Sequence, residues 1–157
     1  MTSRSNDGDK AVSGQVSTLG IELPSKRDIS VGQTQTAHAV VTVGTGNKVN
    51  VATLSLEFDA KRMQVDSCTA GDGFSGIAGR APCIIDNSAG TINIAIQAIS
   101  AEGPSGSPIL AVLTFRPTQA GEASFEYKDN YIVVKRPDGR SARLVVSSDE
   151  TTIQIKK

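Results

Sequence analysis

The chain has 157 residues, the length of one domain, and its 16 Lys and Arg residues balance its 16 Asp and Glu residues. This balance argues against a nucleic-acid-binding protein and against a polybasic membrane-surface module, because both need a basic face. No apolar run of about 18 residues occurs, so no segment is predicted to span a bilayer. Only four Phe, two Tyr and no Trp are present, whereas the β-branched residues that favour strands are plentiful.

The first 19 residues are polar and contain no apolar core of a signal peptide. We expect residues 1–19 to form a linker or tail and residues 20–157 to form the folded domain. If the protein is exported, the chain is a fragment without its signal peptide.

From residue 20 onward, apolar and polar residues alternate with the period of two that is typical of half-buried strands. No amphipathic helix of three turns occurs, which excludes parallel βαβ folds and predicts an all-β, antiparallel two-sheet sandwich. In chain order, the predicted strands are 21–23, 34–43, 51–58, 63–68, 83–86, 91–99, 109–115, 123–127, 131–134, 143–146 and 152–155.

The alternation also predicts which side chains form the core. Leu54, Ile94 and Leu113 should share one interior, and the four Phe side chains should be buried with them. Asp129-Asn130 is a turn signal that separates two strands. Tyr127 and Tyr131, on either side of this turn, are the only aromatic rings that we expect at the surface.

The cysteines are Cys68 and Cys83, and the sequence leaves two alternatives open for them. They could form one disulfide in an oxidising compartment, or remain two buried thiols in a reducing one. A disulfide would close a loop of about 15 residues and stabilise the fold by about 3 kcal/mol.

The order of these segments resembles that of cohesin domains, the receptor modules of cellulosome scaffoldins. The resemblance covers about residues 20–157 and implies a jelly-roll sandwich of about nine strands. The matching segments are Ile29-Ser-Val-Gly-Gln-Thr34, residues 50–59 (NVATLSLEFD), Met63-Gln-Val65, Gly73-Phe74, residues 86–95 (DNSAGTINIA) and residues 110–115 (LAVLTF).

The same resemblance implies a function and a site. It implies a non-catalytic, extracellular or cell-surface module that docks a dockerin-like partner, a small calcium-loaded helical domain, on a flat sheet face. No cofactor or metal is expected on this chain, because the calcium belongs to the partner. Thr53 replaces an acidic residue of many cellulosomal members, which leaves the face less charged. Carried over by position, the partner-binding residues are Thr53, Ser55, Glu57, Asn87, Asn93, Ala95, Gln97 and Ile99.

Other functions receive less support from the residues. The only histidine, His38, lies in a predicted strand without a nucleophile motif, and the carboxylates fall mainly at turns, which argues against an enzyme. The chain lacks a calcium-binding loop and a zinc ligand set. Two alternatives remain: a carbohydrate-binding module that uses Tyr127 or Tyr131, and a structural spacer in a surface or pilus-type assembly.

Overall fold

The computed structural model describes residues 18–23, 28–100, 104–144, 147–148 and 151–157. Most of the predicted tail, and the end of the strand predicted at 143–146, lie outside these residues. The described strands are β1 (Thr18–Glu22), β2 (Asp28–Ser30), β3 (Gln35–Thr42), β4 (Lys48–Phe58), β5 (Met63–Ala70), β6 (Phe74–Gly76), β7 (Cys83–Asp86), β8 (Thr91–Ala98), β9 (Ile109–Pro117), β10 (Gly121–Lys135), β11 (Ser141–Leu144), β12 (Ser147–Ser148) and β13 (Thr151–Lys156). A 3-10 turn spans Ile77–Gly79.

The strands form two sheets. Sheet 1 has the order β12-β1-β3-β9-β5, and sheet 2 has the order β2-β13-β10-β4-β8-β6, with β11 beside β10 and β7 beside β8. All neighbours are antiparallel except the short pairs β1–β12 and β2–β13. The prediction of an all-β, two-sheet sandwich is confirmed, and short strands at the sheet edges raise the strand number above nine. Within the described ranges, no helix is long and apolar enough to cross a membrane.

One hydrophobic core lies between the sheets. Leu54, Ile94 and Leu113 belong to the same buried cluster, as predicted, and all four Phe side chains are buried in it. Phe115 from sheet 1 meets Phe125 from sheet 2 edge to face, with ring centroids 5.2 Å apart. Such edge-to-face pairs are a preferred aromatic geometry and add to the energy of burial.

The turn predicted at Asp129-Asn130 is wrong, because β10 continues through it. Tyr127 lies opposite Leu56 of β4 and Asp129 lies opposite Ser55, so Lys128 is an extra residue without a partner in β4. Such a one-residue bulge keeps the two strands paired while it changes which side chains face inward. Continuous pairing with β4 on both sides of the bulge outweighs the local preference of Asp and Asn for a turn.

The expectation of an exposed Tyr127 is also wrong, because Tyr127 lies within the continuous strand and points in the same inward direction as Phe125. The Tyr127 side chain is only 6% exposed, and its hydroxyl donates a hydrogen bond to the Gly20 carbonyl at 3.0 Å. Burial raises the pKa of the Tyr127 phenol well above its ordinary value. Gly20 belongs to β1, which begins at Thr18 and contains the fully buried Leu19. The predicted boundary between residues 19 and 20 therefore falls inside the first strand.

Two contacts tie the sheets together along one edge. Cys68 of β5 and Cys83 of β7 form a disulfide, with Cα atoms 5.9 Å apart. The Asn87 side chain accepts a hydrogen bond from the Val65 N–H (2.8 Å) and donates one to the Val65 carbonyl (3.0 Å). Because β5 lies in sheet 1 and β7 in sheet 2, these contacts close the sandwich along this edge.

Candidate functional site

The outward surface of sheet 2 across β7, β8, β4 and β10 carries most of the predicted partner-binding residues and is named the docking face after that prediction. Strand register aligns its side chains in rows across the strands: Ala95, Thr53 and Tyr131 form one row, and Asn93, Ser55 and Asp129 form the next. The Ser55 hydroxyl donates a hydrogen bond to the Asn93 side-chain oxygen at 2.8 Å. The centre of the docking face therefore presents short, mostly uncharged side chains.

A shallow depression of about 350 Å³ lies across these rows. The depression crosses β8, β4 and β10, and Ala95, Thr53 and Ser55 contribute small side chains to its lining. The residues that line the depression are Thr53, Leu54, Ser55, Asn93, Ile94, Ala95, Asp129, Asn130 and Tyr131.

The structure brings most of the predicted partner-binding residues onto this one face. Thr53, Ser55, Asn93 and Ala95 line the depression itself. Gln97 continues β8 opposite Val51, and Glu57 lies at the other end of β4. Ile99 follows β8 with its side chain 69% exposed. Their role in binding a partner stays a prediction.

Asn87 is placed differently from the other predicted residues. Both hydrogen-bonding groups of its side-chain amide bind the Val65 backbone of β5. Its amide is therefore used inside the fold, and we assign Asn87 to the closure of the sandwich edge rather than to the docking face.

Sequence reasoning missed several residues of the docking face. Asp129 and Asn130 were assigned to a turn, and Tyr131 was considered only for sugar stacking, yet all three line the depression. Ile84 is 68% exposed on β7, directly opposite Asn93. Since Ile84 and Ile85 are adjacent apolar residues in a four-residue strand, alternation alone does not decide which of them points outward.

One end of the docking face carries charged groups. Glu57 and Glu126 lie directly opposite each other on β4 and β10. The Lys128 ammonium lies 3.1 Å from Glu126 Oε1 and 3.7 Å from Glu57 Oε1. Like charges opposite each other destabilise a sheet, and the Lys128 ammonium offsets this repulsion. Its hydrogen bond to Glu126, and then the charges of both carboxylates, raise the pKa of Lys128. Glu57, Glu126 and Lys128 are called the charged end below.

The histidine lies away from the docking face. His38 lies on β3 of sheet 1, with its Nδ1 atom 3.3 Å from Glu22 Oε1. Within the part of the chain that the structure describes, no group of three or more His, Cys, Asp and Glu residues is arranged to hold a metal ion. The chemistry available on the docking face is hydrogen bonding, apolar contact and ion pairing.

Comparison with known proteins gives similarity at the level of structure alone. No protein-family model matches the sequence, and no curated protein matches it. The seventh type I cohesin of ScaB from Pseudobacteroides cellulosolvens superposes with a TM-score of 0.68 at 16% identity, covering 89% of this chain and 92% of that one.

Two further solved structures extend this similarity. The sixth cohesin of scaffoldin B from Acetivibrio cellulolyticus, in complex with a Cel5 dockerin mutant, gives a TM-score of 0.67 at 13% identity, covering 90% of this chain and 99% of that one. The non-cellulosomal cohesin from the archaeon Archaeoglobus fulgidus gives 0.64 at 17% identity, covering 90% and 92%. The resemblance found in the sequence is thus confirmed for the fold: this chain has the jelly-roll fold of the cohesin modules.

Proposed function

We propose that this chain is a non-catalytic docking module that binds a dockerin-like, calcium-loaded helical domain on the docking face. The observation that carries this proposal is the shallow, small-residue depression on the outer surface of sheet 2, in a chain with the cohesin fold. One of the similar cohesins was solved in complex with a dockerin. Any calcium in the complex would belong to the partner.

The side chains of the docking face suit a protein partner. Stable interfaces combine apolar anchors with a polar rim that offers hydrogen bonds. Tyr131 and Ile84 supply exposed apolar surface, 41% and 68% exposed, on either side of the Ser55–Asn93 pair. The small side chains of Thr53 and Ala95 would let a partner's helix approach the sheet closely.

We also propose that the module acts outside the cytoplasm, in an extracellular or cell-surface assembly. The Cys68–Cys83 disulfide supports this location, because disulfides form and persist in oxidising compartments and are rare in the cytosol. A docking module placed there would hold its partner by complementary shape and hydrogen bonds, without chemical conversion of the partner.

The test is calorimetric titration of this protein with a panel of calcium-loaded dockerin modules encoded in the same genome. The variant Ala95→Arg should weaken binding about tenfold or more, because a long charged side chain would fill the depression. The matched control is Thr36→Arg, at an exposed position on β3 of sheet 1, which should bind as the wild type does. Thermal melts of both variants establish that they are folded.

Two results would contradict the proposal. Absence of binding to every dockerin of the panel would remove the docking function, and equal binding by Ala95→Arg and the wild type would place it on another surface. Retention on insoluble polysaccharide that is lost in Tyr131→Ala would indicate the carbohydrate-binding alternative instead. A structural spacer would bind neither class of partner.

A further inference from the structure

We propose that the partner of the docking face presents an arginine or lysine side chain to the charged end, and that Lys128 competes with this side chain for the Glu57 and Glu126 carboxylates. The inference rests on the proposed docking function and specifies the chemistry of the partner. It makes Glu57, Glu126 and Lys128 determinants of which partners bind.

Negative charge exceeds positive charge at this end. Glu57 and Glu126 lie opposite each other, and the exposed Asp129 follows the bulge on the same face. Lys128 provides one positive charge against these three carboxylates. The Glu57 and Glu126 side chains are 51% and 44% exposed, so a partner can reach both of them. A docked cation is therefore favoured at this end.

The rest of the depression is uncharged, so the charged end marks one direction along the face. Its other lining side chains are Thr53, Leu54, Ser55, Asn93, Ile94, Ala95, Asn130 and Tyr131. A complex with a partner that has one basic side chain would have its lowest free energy when this side chain lies at the charged end and the neutral surface of the partner covers the depression. The charged end would thus select the orientation of the partner as well as its identity.

Lys128 is placed to act as an internal competitor. It is the extra residue of the β10 bulge, its side chain is 48% exposed, and its single ammonium is shared between two carboxylates at 3.1 Å and 3.7 Å. Exposed ion pairs of this kind are weak and easily exchanged. An arginine of the partner could form two parallel hydrogen bonds to one carboxylate, a geometry that a lysine ammonium does not offer.

The experiment measures the affinity of the tightest-binding dockerin of the panel for three variants. Glu57→Gln and Glu126→Gln should each weaken binding about two- to fivefold, and Lys128→Met, which keeps the aliphatic stem, should strengthen it about two- to fivefold. In about 1 M NaCl, where charges are screened within about 3 Å, these differences should disappear.

The matched controls come from an ion pair on sheet 1, in which Arg116 Nη2 lies 3.5 Å from Asp66 Oδ1. Asp66→Asn and Arg116→Met also remove one partner of an exposed pair and should leave the affinity unchanged. This comparison separates an effect of the docking face from a general effect of net charge.

Each remaining outcome has a definite meaning. Weaker binding by Lys128→Met would indicate a partner carboxylate on Lys128 and would overturn the inference. Unchanged affinity in all three variants, with Ala95→Arg still impaired, would overturn the inference and leave the docking function in place. If no dockerin of the panel binds the wild type, both proposals fail together.

Discussion

Replacement of Tyr127 by phenylalanine tests the path of β10 through the core. The phenol is 6% exposed, and its hydroxyl donates to the Gly20 carbonyl at 3.0 Å, so Tyr127→Phe removes one hydrogen bond between the two sheets. A hydrogen bond of this kind contributes about 0.5–1.5 kcal/mol. At pH 7 we expect the variant to be about 1 kcal/mol less stable, which lowers the melting temperature by about 3 °C.

The pH dependence of this difference has a definite sign. Burial holds the pKa of Tyr127 above its ordinary value in the folded protein, whereas the unfolded chain ionises near pH 10. The stability that this shift provides is therefore complete below pH 10 and is lost as the pH rises toward the folded pKa. At pH 11, ionisation of the unfolded state costs the wild type about 1.4 kcal/mol, and the variant avoids this cost. The two proteins should then be about equally stable, and above pH 11 the variant should be the more stable one.

Urea unfolding of both proteins at pH 7, 9 and 11, followed by circular dichroism, measures this difference. Other titrating groups are common to both chains and cancel in the comparison, so the difference should be constant from pH 7 to 9 and approach zero at pH 11. A difference as large at pH 11 as at pH 7 would refute the reasoning, because it would mean that the Tyr127 phenol ionises as readily in the folded state as in the unfolded one.

Two further predictions concern the closed edge of the sandwich. Reduction of the Cys68–Cys83 disulfide should lower the free energy of unfolding by about 3 kcal/mol, because the bridge spans 15 positions of the chain; a melting temperature unchanged by reductant would contradict this. Asn87→Ala should cost about 1–3 kcal/mol in urea unfolding, because it leaves the Val65 N–H and carbonyl without their side-chain partners. Asn87→Asp keeps only the acceptor and should fall between the wild type and Asn87→Ala; equal stability of all three would assign these contacts no energetic role.

The alternation of apolar residues was sufficient to predict the sandwich and much of its core. Leu54 and Ile94 lie in strands with strict period-two patterns, and a strand with one buried face leaves such side chains a single consistent direction. The same alternation predicted that Thr53 and Asn93 lie on the outer surface of the sheet, away from the core, and the structure places them there. Local pattern determines direction wherever a strand has no bulge.

The remaining features depend on contacts between distant parts of the chain. The Lys128 bulge is stabilised by pairing with β4, some 70 positions earlier in the chain. Because this partner is distant, the local sequence alone predicts a turn. The disulfide and the amide contact of Asn87 require β5 and β7 to meet at one edge, which a spacing in the sequence does not specify. Ile84 faces outward because of its register with β8.

The bulge in β10 has a consequence for how the chain tolerates changes in length. Phe125 and Tyr127 point inward before Lys128, and Ile132 and Val134 point inward after it, so the two halves of the strand are out of step by one residue. Deletion of Lys128 would therefore bring the two halves into step, because Asp129 would follow Tyr127 directly while Ile132 and Val134 still point inward. Surface loops commonly gain and lose residues at little cost. The stretch around Asp129 has the composition of such a loop, and although it lies within a strand, the core on either side should tolerate the loss of this one residue.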